Sequence, residues 1–219
     1  MRGPLTPWPV PGGFLERLGR RPELIEDRSR GLALALAGRR WRGAEADLVA
    51  ALVYAAGDPS LLDLVRLGGD PVGRARRALA RGAPLLVDVR MVAAGIRRRA
   101  GRRLAVAVTA PGAGALARRC GTTRAAAGMR LRWDEFGAGG VVAIGNAPTA
   151  LLALLDLAAA RPPACVVATC PGLQLAAAAK SALAASGLSH LVVSGTRGGS
   201  GLAAAALNVL LGGVGEPEG

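Results

Sequence analysis

The sequence predicts an α/β fold: an open, mostly parallel sheet with helices on both faces, in a single domain. Five short, Val-containing apolar runs follow residue 83, each leading through a Gly, Pro, Ser or Thr loop into a helix-like stretch. Length and composition agree. A chain of 219 residues, 51% hydrophobic and 20% charged, suits one such domain and excludes wholesale disorder.

Residues 1–21 read as an N-terminal arm, Pro/Gly-rich and aperiodic through Gly13. Pro22 to Leu36 has a helical pattern with Leu24, Ile25, Leu32 and Leu36 as its apolar positions. A second helix starts near Gly43, carries Leu48, Leu52 and Val53, and stops at Gly57-Asp58-Pro59. Pro71 to Arg81 is a short, very basic helix closed by Gly82. The strand candidates follow: PLLVDV (84–89), LAVAVTA (104–110), VVAIGN (141–146), ACVVATC (164–170) and HLVVSG (190–195). The alanine runs 176–179 and 203–206 let helices approach the sheet or another subunit closely. The domain spans 22–212, and the acidic tail 213–219 reads as frayed.

Composition excludes several functions. Aromatics are 3% of the chain, too few for base- or sugar-stacking platforms, and no helix-turn-helix or RNP string is present. Nucleic acid is therefore a poor partner, even though the net charge is +13 and every basic residue but Lys180 is arginine. A small molecule bearing several carboxylates or phosphates satisfies the same charge. Cys120, Cys165 and Cys170 lack metal-type spacing, and His190 is the only histidine, so no conventional metal site is expected. His190, in LSHLVV, reads as a packed strand-edge residue. No run gives eighteen clean apolar residues and the N-terminus lacks a signal-peptide core, so the expectation is a cytoplasmic protein with no membrane contact.

Ligands of open parallel sheets bind beyond the carboxyl ends of the strands. Four loops there have suitable composition: Gly121 to Arg124, Gly145 to Thr149, Pro171-Gly172 with Lys180 further along, and Thr196 to Gly201. Backbone amides at such helix starts attract carboxylate or phosphate. None matches the dinucleotide or P-loop fingerprints. Asp88, at a strand end, could orient a ligand or cap the next turn. Arg97 to Arg99, Arg102 and Arg103 bracket an exposed turn or a polyanion patch.

Seven ordered strings are more specific than any one motif. IEDRS (25–29), AEADLVAALVYAAGD (44–58), ARRALARGAPLLVDVRMVAAGI (75–96), CGTTRAAAGM (120–129), VVAIGNAPTAL (141–151), GLQLAAAAKSAL (172–183) and GTRGGSGLAAAALN (195–208) together resemble the precorrin-8X methylmutase family. The resemblance implies an α/β homodimer that isomerises a corrin precursor of cobalamin biosynthesis. A methyl group moves between adjacent ring-C carbons of precorrin-8X, or of its cobalt form, giving hydrogenobyrinic or cobyrinic acid. It implies no nucleotide, flavin or protein-bound metal, hence no cofactor. The ligand's acetate and propionate arms want arginine forks and helix N-termini, and its flat face wants apolar walls.

By the same resemblance, Arg28 and Ser29 bind a substrate carboxylate, and Asp88 and Met91 lie at the strand end beside the pocket. Thr123 and Arg124 belong to a carboxylate clamp. Asn146, Thr149, Gly198, Gly199 and Ser200 line the site, and Lys180 matches a family lysine, although Ala178 replaces the glutamate of that string. The family's catalytic histidine aligns with Tyr54. Free tyrosine and histidine differ by about 3.5 pKa units, roughly 5 kcal/mol in proton-donating tendency. A phenol can still hydrogen-bond a ring nitrogen. Two readings follow: a mutase using Tyr54 as donor, or a corrinoid binder without turnover.

Overall fold

A computed structural model describes residues 22–97 and 103–212. The expected arm, the tail, and Arg98, Arg99 and Arg102 of the arginine run lie outside the described residues.

Helix α1 (Pro22–Ala37) packs on α2 (Gly43–Ala56). Ala33 and Ala37 are its buried residues, while the stripe its sequence suggests divides: Leu24 and Leu36 are half-buried, Ile25 is 45% exposed and Leu32 62%. Small residues at the contact let the two helices approach closely and leave Ile25 and Leu32 outside. Gly57, with φ at 62°, ends α2 in the left-handed conformation that glycine tolerates best. Asp58 then caps a 3₁₀ turn, Pro59–Asp63, by accepting from the Ser60 amide at 2.9 Å.

Except for two successive helices between the third and fourth strands, the remaining strands and helices alternate. They are β1 (Val65–Gly68), α3 (Pro71–Ala80), β2 (Leu85–Val87), α4 (Arg90–Ala94), β3 (Leu104–Val106), α5 (Ala113–Arg119), α6 (Arg124–Arg132), β4 (Val141–Ile144), α7 (Pro148–Ala158), β5 (Cys165–Ala168), α8 (Ala176–Ala185), β6 (His190–Val193) and α9 (Ser200–Gly212). The sheet order is β1-β6-β5-β4-β2-β3, parallel throughout except β1. Strand residues alternate between two cores. Leu85, Val87, Val141 and Val167 face α2 and α9, whereas Leu86, Val142, Ile144 and Val166 face α6, α7 and Trp133.

The expected open parallel sheet is present, with one strand more than the sequence suggested. VRLG has no apolar run of its own; β1 exists because β6 supplies an antiparallel ladder from Val65↔Val193 to Gly68↔His190. His190 is packed, but in an interior strand rather than at an edge. Its Nδ1 lies 2.8 Å from the Leu188 carbonyl oxygen, and its ring fills the space a Cβ on Gly68 would need. Because β1 is antiparallel, its start and the preceding 3₁₀ turn lie at the edge where the parallel strands end.

Candidate active site

From β2 the chain steps outward to β3, then returns past β2 to β4, β5 and β6. The loops after β2 and β4 therefore part in opposite directions, which is where open α/β sheets hold ligands. Here Asp88 fills that position. It is fully buried; one carboxylate oxygen accepts from the Val89 and Gly145 amides at 2.9 and 3.0 Å, the other from Asn146 and Ala147 at 2.8 and 2.7 Å. Burial pushes its pKa up, against the downward pull of the four amides. Of the two roles open to Asp88, the geometry is that of a cap. It shapes the Gly145 to Ala147 turn and has no free face for a ligand. Gly145 is required there because a Cβ would meet Val92 at 2.4 Å and the Ser200 backbone at 2.9 Å.

The loop after β6 folds onto the end of β5. The Gly199 amide donates to the Thr169 carbonyl at 2.6 Å, and the Thr169 hydroxyl donates to the Gly199 carbonyl at 2.9 Å. Gly198 has φ at 148° and passes so close that a Cβ would sit 1.9 Å from the Thr169 oxygen. Lys180 is buried beneath this loop, and its Nζ donates to the Arg197 carbonyl at 2.8 Å. Burial lowers its pKa, and the neighbouring Cys170 thiol opposes that. Contrary to the expectation of a substrate contact, Lys180 straps the loop from below. Arg197 itself pairs outward with Asp58 and donates to the Ser60 hydroxyl at 2.9 Å.

Sequence reasoning missed Thr169, Asp58 and Ser60. Thr169 stood in the run ACVVATC as the first polar residue at a strand end, which is a signal. Asp58 and Ser60 gave none, because only the unrecognised strand β1 brings their turn to this edge.

Tyr54, in the last turn of α2, is 39% exposed and lines a cavity of about 690 Å³ between α1, α2 and α9. Ala50, Ala51, Ala204 and Ala205 give it an apolar wall beside Asp47 and Asn208, and Gly201, next to Ser200, links it to the β6 loop. Arg30 lies over the Tyr54 ring, 5.5 Å from its centroid, and pairs with Glu26 one turn earlier. Arg97 also lines the cavity. Arg28 and Ser29 are exposed on α1 but do not line it. The arginine facing Tyr54 is Arg30.

The other predicted residues divide between the two faces of the sheet: Thr123, Arg124 and Thr149 belong to α6 and α7 on one, whereas Met91 is on α4, which packs with α9 on the other. Thr123 caps α6 by accepting from the Ala126 amide at 3.2 Å, and its hydroxyl lies 2.7 Å from that of Thr149. Arg124 opens α6 beside a second cavity of about 590 Å³. Asn146 is exposed, and Met91 is 71% exposed at the start of α4. Gly198, Gly199 and Ser200 are brought together with Lys180, and Thr123 with Thr149; Tyr54 touches neither group. Among the described residues, no group of three or more His, Cys, Asp or Glu could hold a metal ion. What the edge offers is guanidinium groups, hydroxyls and backbone amides around apolar patches, with one phenol. That set can grip carboxylates and donate a hydrogen bond.

Residues 24–212 match the profile of the precorrin-8X methylmutase family. The chain belongs to that family. A precorrin-8X methylmutase from Sinorhizobium sp is 42% identical over 178 residues, covering 78% of this chain and 84% of that protein. A cobalt-precorrin-8 methylmutase from Methanocaldococcus jannaschii is 30% identical over 169 residues, covering 76% and 79%. The crystal structure of the precorrin-8X methylmutase from Thermus thermophilus superposes with a TM-score of 0.76 at 30% identity, over 87% of this chain and 99% of that one. Membership makes the chain an isomerase of cobalamin biosynthesis, and nothing in these likenesses supports a binder without turnover.

Proposed function

We propose that the chain moves a methyl group between adjacent ring-C carbons of precorrin-8X or its cobalt form, with Tyr54 as the hydrogen-bond donor to the migrating system. One carbon–carbon bond breaks, a neighbouring one forms, and no atom is gained or lost. The observation that carries the reading is the position of Tyr54: its side chain borders an alanine-floored cavity under a stacked arginine. A hydrogen bond from the phenol to a ring nitrogen draws electron density from the conjugated system while the methyl moves, and the proton need not leave for good. Arg30 fixes the plane of the tyrosine ring.

Around this donor we place the carboxylate arms on Arg124, Asn146, Thr149 and the amides of Gly198 and Ser200, with Gly199 shaping the loop through its bond to Thr169, Arg28 and Ser29 at the periphery and Met91 against the macrocycle. Asp88 and Lys180 serve from below by shaping the two loops. We also infer a homodimer: Leu32 at 62% and Leu173 at 93% exposure are apolar side chains that a second copy would cover. A cytoplasmic setting suits three unpaired thiols.

Moving the methyl changes the conjugation, so a visible-absorbance time course with precorrin-8X and with its cobalt form tests the reading. Conversion of either supports it and identifies the substrate. A folded protein that converts neither contradicts it.

A further inference from the structure

The second cavity has a feature that the motifs did not single out. Arg118 is four residues beyond Gly114 and so on the same face of α5, directed over that glycine. An ideal Cβ on Gly114 would lie 3.7 Å from Arg118 Nη1 and 3.7 Å from Arg124 Nε. Two guanidinium groups from successive helices thus converge on the space that Gly114 leaves open. Both residues are exposed, and among the described residues neither is in an ion pair. The cavity between them also holds Thr122. Like charges repel, so convergence without an acidic partner stores an electrostatic cost that an anion would relieve.

We propose that Arg118 is a second half of the carboxylate clamp: it and Arg124 grip one acetate or propionate arm of the substrate from two sides, over Gly114. This rests on the methylmutase reading above. A carboxylate offers two oxygens and about four lone-pair directions, and a guanidinium offers paired N–H donors, so one carboxylate can satisfy both arginines. Neither group touches the reacting carbons. Arg118 therefore acts in substrate binding and arm selection rather than in the methyl shift.

The test compares wild type, Arg118→Gln, Arg124→Gln, the double variant and Gly114→Gln, each for turnover of precorrin-8X and for equilibrium binding of hydrogenobyrinic acid by calorimetry. Arg118→Gln is expected to raise KM and the product Kd on the order of tenfold with kcat within twofold, as befits loss of one charge-assisted contact. The double variant should lose less than the product of the single losses, because both grip one group. Gly114→Gln should reproduce the loss with both arginines present, since φ there is ordinary and its side chain occupies the gap. Arg118→Lys should restore part of the affinity.

Wild-type turnover with Arg118→Gln unchanged in KM and Kd would overturn the clamp and leave the methylmutase reading standing. Wild type that binds the product but turns nothing over would remove the mutase reading alone; the Kd series then decides the clamp. Wild type that binds no product overturns both.

Discussion

The edge between β2 and β4 and the cavity between α1, α2 and α9 solve opposite problems. At the first, a carboxylate sits fully buried with four amides on it and no solvent. At the second, a phenol is 39% exposed with one stacked cation above it. The first is rigid because a buried charge must have every lone pair answered. The second is open, as our proposal for Tyr54 requires: a donor to a ligand cannot spend its hydrogen bond on the protein. Site motifs can therefore denote two kinds of residue: some meet the ligand, and others hold the backbone that does. Asp88 and Lys180 belong to the latter by their bonds, and our proposal puts Tyr54 and Arg124 among the former.

Breaking the buried side should hurt stability most. Asp88→Ala strands four backbone N–H groups and should lower unfolding free energy by about 4–5 kcal/mol, read from urea midpoints. Asp88→Asn recovers only one acceptor oxygen, so it should rescue little. The buried thiols come next. Burial pushes Cys165 up to about 12 and Cys170 to about 11, from an ordinary 9.0. The folded state then holds its protons where the unfolded chain has begun to release them. Stability conferred by the thiols is intact below pH 9 and falls as pH rises through 11 to 12, by roughly 3–4 kcal/mol for Cys165. Lys180, lowered by burial, works in the opposite sense below its ordinary 10.5. The difference between wild type and Cys165→Ala across that range isolates the thiol.

The loops over this scaffold should respond less in stability and more in activity. Gly198→Ala forces a Cβ into the Thr169 carbonyl at a positive φ, so about 2–3 kcal/mol and most of the turnover should be lost. Arg197→Gln removes an exposed pair with Asp58 and should cost under about 1 kcal/mol by the same urea assay. A larger loss would mean that this surface pair does more to hold the loop than exposure allows.

Much of this was legible in sequence because parallel strands buried on both faces need continuous apolar runs: VVAI, CVVA and HLVV all became strands. β1 was not legible, since VRLG is a strand only through its long-range partner. The α1 stripe misled in part for a related reason: periodicity reports which residues could be buried, and the helix buried its alanines fully, Leu24 and Leu36 by half, and left Ile25 and Leu32 outside. At the site, residue type located the loops well. It could not tell that the Asp88 carboxylate points inward or that Lys180 bonds a carbonyl, because both facts depend on contacts between segments far apart in the chain. Arg30 was hidden beside Arg28 and Ser29, one or two residues from the motif that drew attention.

The central claim is that Tyr54 supplies the hydrogen bond on which the methyl shift depends. Tyr54→Phe, assayed for precorrin-8X conversion and for hydrogenobyrinic acid affinity, tests it most directly. The phenol reading predicts kcat down on the order of 100-fold with the product Kd within about threefold of wild type. Conversion by Tyr54→Phe at the wild-type rate would contradict it and leave the shape of the pocket as the catalyst.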